Sequence, residues 1–119
     1  MSYDEVEARE TAISLGMVIY HIFLFKKGRA WTAEHTPELE ALQEQHLANL
    51  RRLGETGTLV LNGPLLDSFA TGGDIRGVGL LKVETMAEAC ELLDSDPMVK
   101  VGRLVYEVHA WMVGKGILP

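Results

Sequence analysis

The order of strand-like and helix-like stretches constrains this chain more than any single motif. The run "MVIYHIFLF" at residues 17–25 is rich in β-branched and aromatic residues and has the length of a strand buried on both faces. After it, "TPELEALQEQHLANLRRLGETG" carries Thr36 as N-cap, Pro37 at the first helical position, early glutamates, late arginines and a closing glycine. "TLVLNGPL" and "IRGVGLLKVE" read as two strands of a hairpin joined by a loop, "LDSFATGGD". Thr85 caps a second helix, "MAEACELLDS". A turn at Asp96-Pro97 then leads through "MVKVG" into a last strand, "RLVYEVHAWMV". Strand, helix, strand, strand, helix, strand is the α+β, ferredoxin-like βαββαβ order, which implies a four-stranded antiparallel sheet with both helices on one face.

Strand periodicity divides the last strand into two sides. Leu104, Tyr106, Val108, Ala110 and Met112 share the side expected to meet the helices. Val105, Glu107, His109, Trp111 and Val113 form a side too apolar for water and too polar for a sealed core, which fits a second subunit with a pocket between the two. Residues 1–15 are expected to be an N-terminal arm with a thin apolar side, and residues 16–119 a single domain.

Composition narrows the function. The 119 residues carry a formal net charge of -6, and the only adjacent basic pairs are Lys26-Lys27 and Arg51-Arg52, so nucleic acid is not an expected partner. The single cysteine, Cys90, makes no internal disulfide, and no apolar run is long enough to cross a bilayer. The acidic start "MSYDEVEARETAIS" lacks the features of a signal peptide, and a cytoplasmic location is expected.

His46 is the most informative candidate. It shares a helical stripe with Leu39, Leu42, Leu50 and Leu53, where another leucine would be expected, so the fold must satisfy its polar edge. Such a histidine is either structural or part of a site. Asp96, restricted by Pro97, either caps the turn that follows or accepts from one imidazole nitrogen and frees the other as a base. Pro64 ends its strand, Gly63 lets the backbone approach closely, and Asn62 is placed to donate to an oxyanion. His21, His109 and Trp111 are further candidate ligand contacts, while Trp31 and Trp111 suit either a pocket or an interface. No HxH, HExxH, GxSxG, GxGxxG or P-loop pattern occurs, and neither a metal nor a cofactor is expected.

The string "EQHLANLRRLGETGTLVLNGPL", a glycine-bearing strand, a helix, "SDPMVKVG" and a terminal strand together resemble the YciI-like (YCII-related) family over roughly residues 17–113. The resemblance implies a ferredoxin-like protomer that dimerises through its sheet into an α+β barrel. It also implies an active-site pair at His46 and Asp96, and an association, for part of the family, with the breakdown of chlorinated aromatics. The chain departs from the pattern at Val78, where many members have a small hydroxyl residue, in the longer basic loop "KKGRAWTAEH", and in the acidic arm.

The expected function is a small-molecule enzyme using His/Asp acid–base chemistry for elimination, isomerisation or hydrolysis of an aromatic or small acid. The alternative is a non-catalytic dimeric protein that binds or senses a small ligand. A haem-handling relative would need an axial histidine in the pocket.

Overall fold

The computed structural model describes residues 3–118. Its elements are α1 (Glu5–Ser14), β1 (Met17–Lys27), α2 (Pro37–Glu55), β2 (Leu59–Gly63), α3 (Leu66–Thr71), β3 (Ile75–Leu81), α4 (Met86–Asp94), α5 (Pro97–Lys100) and β4 (Leu104–Gly114). The four strands form one sheet in the order β2-β3-β1-β4, and every neighbouring pair is antiparallel. This is the ferredoxin-like α+β arrangement expected from the order of the runs.

The long helices form where their caps predict. Thr36 Oγ1 accepts from the Leu39 amide at 3.2 Å and Pro37 opens α2, while Thr85 Oγ1 accepts from the Glu88 amide at 3.1 Å to start α4. The core lies between these helices and one face of the sheet. Phe23 and Phe25 of β1 meet Leu59, Leu81, Ala89, Leu93, Met98 and Leu104 there. Phe23 and Phe25 pack edge to face, with centroids 4.9 Å apart.

A glycine on β3 makes room for the Phe23 ring. A Cβ on Gly79, the register partner of Phe23, would stand 2.2 Å from the Phe23 ring, so the side chain that a strand would ordinarily place there is excluded. At the far end of β1 the backbone approaches the loop before β4. Gly28 donates to the Arg103 carbonyl at 2.9 Å and Ala30 to the Gly102 carbonyl at 2.9 Å, a contact that a Cβ on Gly28 would block.

Four expectations are corrected. The connection "LDSFATGGD" contains the short helix α3, ended by Gly72 at φ 71, and the turn after Asp96 is the short helix α5. Neither segment is long enough to show a helical period in its sequence. β1 is buried along its helix side at His21, Phe23 and Phe25 but only in part on its other face, where Tyr20 is buried and Ile22 and Leu24 remain half-buried in the single chain. On β4 the helices cover Leu104 and part of Tyr106 and Val108, but Ala110 and Met112 are exposed because the strand runs on past them. The arm is the helix α1, capped by Asp4 and joined to α4 through Glu5, whose carboxylate accepts from the Met86 amide at 3.2 Å.

Candidate functional site

Helix α2 presents His46 to the core side of the sheet, and the turn that opens α5 presents Asp96 to the same point. His46 Nδ1 donates to Asp96, 2.7 Å from Oδ2 and 2.9 Å from Oδ1. Asp96 is fully buried, and its Oδ1 also accepts from the Met98 amide at 2.9 Å, which caps α5. The two sequence readings of Asp96 were therefore not exclusive. The carboxylate has two oxygens and serves both partners, and the cap fixes the angle at which it meets the imidazole.

Asn49, one turn beyond His46 on α2, is also buried and sends Nδ2 toward Asp96 Oδ2 at 3.4 Å, while Arg52 donates to its Oδ1. Sequence reasoning passed over this residue. Its signal was available, because Asn49 lies three positions from His46 and so on the same helical face.

His46 also lines a cavity of about 730 Å³ between α2 and the sheet. Nε2 has no hydrogen-bond partner among the described residues, and the Phe25 ring packs edge-on to the imidazole at 5.6 Å. Nδ1 held by a carboxylate leaves Nε2 as the nitrogen that can take or give a proton in the cavity.

Asn62, Gly63 and Pro64 line this cavity with His46, so the end of β2 forms one of its walls. Gly77 lines it from β3, and Val78 stands where a hydroxyl contact would require another residue. Trp31 lines the cavity too, so of the two sequence readings, pocket or interface, the structure places it in the pocket.

His21, His109 and Trp111 are not brought together with His46. His21 is fully buried, with Nδ1 3.1 Å from the Val83 carbonyl, and Nε2 has no partner among the described residues. Burial is the main cause that pushes its imidazole pKa below the ordinary value, outweighing the Val83 bond and the charges of Glu5 and Glu88. His109 and Trp111 lie on the outer face of the sheet, both exposed. There Glu107 receives Lys26 Nζ at 2.6 Å and His109 Nε2 at 2.6 Å, and these contacts, that of Lys26 first, lower its carboxyl to about 2. Among the described residues no group of three His, Cys, Asp or Glu side chains is placed to hold a metal ion.

Fold and site together define a ferredoxin-like domain with a buried His–Asp pair at the floor of a cavity. The YCII-related domain family matches residues 20–112, and the chain belongs to that family. No functionally curated protein matches the chain. A solved structure with the same fold is the 5-chloro-2-hydroxyhydroquinone dehydrochlorinase of Burkholderia phenoliruptrix AC1100 in complex with 2,5-dihydroxybenzoquinone. It aligns with a TM-score of 0.51 at 20% identity, covering 82% of this chain and 97% of that chain. No helix among the described residues is long and apolar enough to cross a membrane.

Proposed function

We propose that this chain is a small-molecule enzyme in which His46 is the general acid–base and Asp96 orients it. The observation that carries the reading is the donation from His46 Nδ1 to a fully buried carboxylate at 2.7 Å while the same ring forms part of a cavity wall. Asp96 fixes the tautomer and stabilises the imidazolium that forms when Nε2 accepts a proton.

Proton abstraction at Nε2 serves three related reactions. In elimination the electron pair of the broken C–H or O–H bond forms a new double bond as a leaving group departs. In isomerisation the proton is returned elsewhere on the substrate, and in hydrolysis it comes from water. Asn62 at the cavity wall supplies a donor for a developing oxyanion. The fold shared with a dehydrochlorinase is compatible with elimination, and the choice among the three rests on substrate.

The alternative of a binding or sensing protein drew on Glu107, His109 and Trp111. These stand on the outer face, outside the cavity, and so give the His46 site no second role. That outer face supports a different part of the reading, which is that a second copy of the chain covers it. Val105 and Trp111 are 46% and 49% exposed there, beside half-buried Ile22 and Leu24.

The experiment is turnover of a panel of chlorinated and hydroxylated aromatics by wild type and His46→Ala. Loss of roughly 100-fold or more in the variant is expected for a general base. Equal rates reject the assignment.

A further inference from the structure

Trp31 is approached by three cations. The Arg103 guanidinium carbon stands 4.4 Å from the ring centroid, that of Arg76 4.7 Å, and Lys27 Nζ 5.8 Å. Arg76 also lies 5.5 Å from the Phe69 ring. Trp31, Phe69, Arg76 and Arg103 all line the cavity that holds His46.

None of the three cations forms an ion pair among the described residues. Among the described residues no carboxylate lies within 4.0 Å of Arg76, Arg103 or Lys27. Arg103 is only 8% exposed, yet its donors reach the Thr32 carbonyl and hydroxyl at 3.0 and 3.5 Å, and its buried Nε has no partner. Arg76 donates one hydrogen bond among the described residues, to the Gly73 carbonyl at 3.1 Å, and is half-buried. Like charges gathered on one ring, one of them buried without a counter-ion, are costly in an empty site. An anion bound beside them turns the same arrangement favourable.

The setting makes this cluster stand out. The chain carries a formal net charge of -6, and Glu34, Glu40 and Glu44, which also line the cavity, are all exposed and screened by solvent. The cations are gathered at the Trp31 ring, while the cavity's carboxylates stand in solvent. Rings at Trp31 and Phe69 favour a flat ligand, and a guanidinium with free donors matches a carboxylate in a planar, forked contact.

From this we infer that the cavity takes a small planar carboxylate, with its anionic group on Arg76, the field of Arg103 and Lys27 behind it, and its remaining carbons directed along the cavity toward His46. The inference rests on the cavity being the substrate site. It names the substrate class and makes Arg76 a binding residue.

Calorimetric titration with acetate, fumarate and benzoate, with benzamide as the neutral counterpart of benzoate, tests it without any turnover. Benzoate is expected to bind at least tenfold more tightly than benzamide, and more weakly as salt is raised. Arg76→Gln should lose at least tenfold in benzoate affinity at an unchanged Tm, Arg76→Lys should recover part of it, and His46→Gln should retain it. Equal affinity for benzamide, no binding of any of the three carboxylates, or wild-type affinity in Arg76→Gln overturns the proposal. Loss of benzoate binding in His46→Gln but not in Arg76→Gln overturns it too, by placing the anion at the imidazole. Carboxylate binding through Arg76 without turnover of any substrate leaves this inference standing and rejects the catalytic role of His46. Turnover of neutral substrates alone does the reverse.

Discussion

His46 and Asp96 are 50 positions apart and meet at 2.7 Å, each fixed by its own local structure. The histidine is held by a helix that Thr36 and Pro37 start, and the aspartate by the amide of Met98 that it caps. Neither residue has to be found by a flexible loop, which is the condition for a proton-transfer group to be ready before substrate arrives.

Replacing Asp96 by Asn separates the two tasks of the carboxylate. Oδ1 can still cap α5, but an amide NH₂ now faces two donors, His46 Nδ1–H and Asn49 Nδ2. The imidazole should then move its proton from Nδ1 to Nε2, removing the base from the cavity. Nitrogen NMR of the ring, at a pH above the histidine range, should show Nδ1–H in wild type and Nε2–H in Asp96→Asn. Denaturant melts should show a loss of about 1–3 kcal/mol. An unchanged tautomer would sink the orienting role of Asp96.

Gly79→Ala tests the packing that forms the cavity's back wall. The added methyl meets the Phe23 ring, which belongs to both the core cluster and the cavity lining, so the ring must leave its place. Overpacking of this kind costs about 1–3 kcal/mol, and the midpoint of urea unfolding should fall accordingly. A variant as stable as wild type would show that the ring can shift freely.

The long elements and the first half of the site are legible from local signals. Thr36, Pro37 and the leucine stripe define α2 without reference to the rest of the chain, and the stripe itself marks His46 as displaced from its expected chemistry. The pairing with Asp96 is not local: the residues alone left it open beside a capping role, and the family resemblance named the pair. Side-chain alternation put His21 and Phe23 on the same face of β1, but it carries no depth along the strand. Phe23 lies by the cavity, while His21 lies where Val83, Glu5 and Glu88 approach it. Arg76 and Arg103 escaped notice because they sit on different segments, and only the fold brings both to Trp31. The helices α3 and α5 are too short to have a period.

The buried imidazole of His21 predicts a loss of stability in mild acid. Its pKa is lowered in the folded chain, chiefly by burial, so the unfolded chain binds the proton more readily. Stability from this group is full above the unfolded value near 6.5 and declines as pH falls from there toward the lower folded value. Glu5 and Glu88, which favour the protonated ring, moderate the decline without reversing it. Thermal melts between about pH 7 and pH 5 should show a falling Tm in wild type and a shallower slope in His21→Gln. Parallel slopes would remove His21 as the cause.

The last prediction concerns the outer face of the sheet. Trp111 pairs in register with Tyr20 on the central strand, and it leaves 49% of its surface in solvent, as Val105 leaves 46% farther along β4. The ion pair of Glu107 with Lys26 and its hydrogen bond with His109 lie on the same face, so the patch mixes apolar area with charges that already have partners. A face of this composition associates without having to desolvate an unpaired charge. Sedimentation of the 13.1 kDa chain should therefore give twice that mass. Trp111→Glu places a carboxylate in the patch without touching the helix-side core, so it should yield a folded monomer with near-native circular dichroism. If wild type sediments as a monomer, or if the dimer survives Trp111→Glu unchanged, the two copies do not meet through this face.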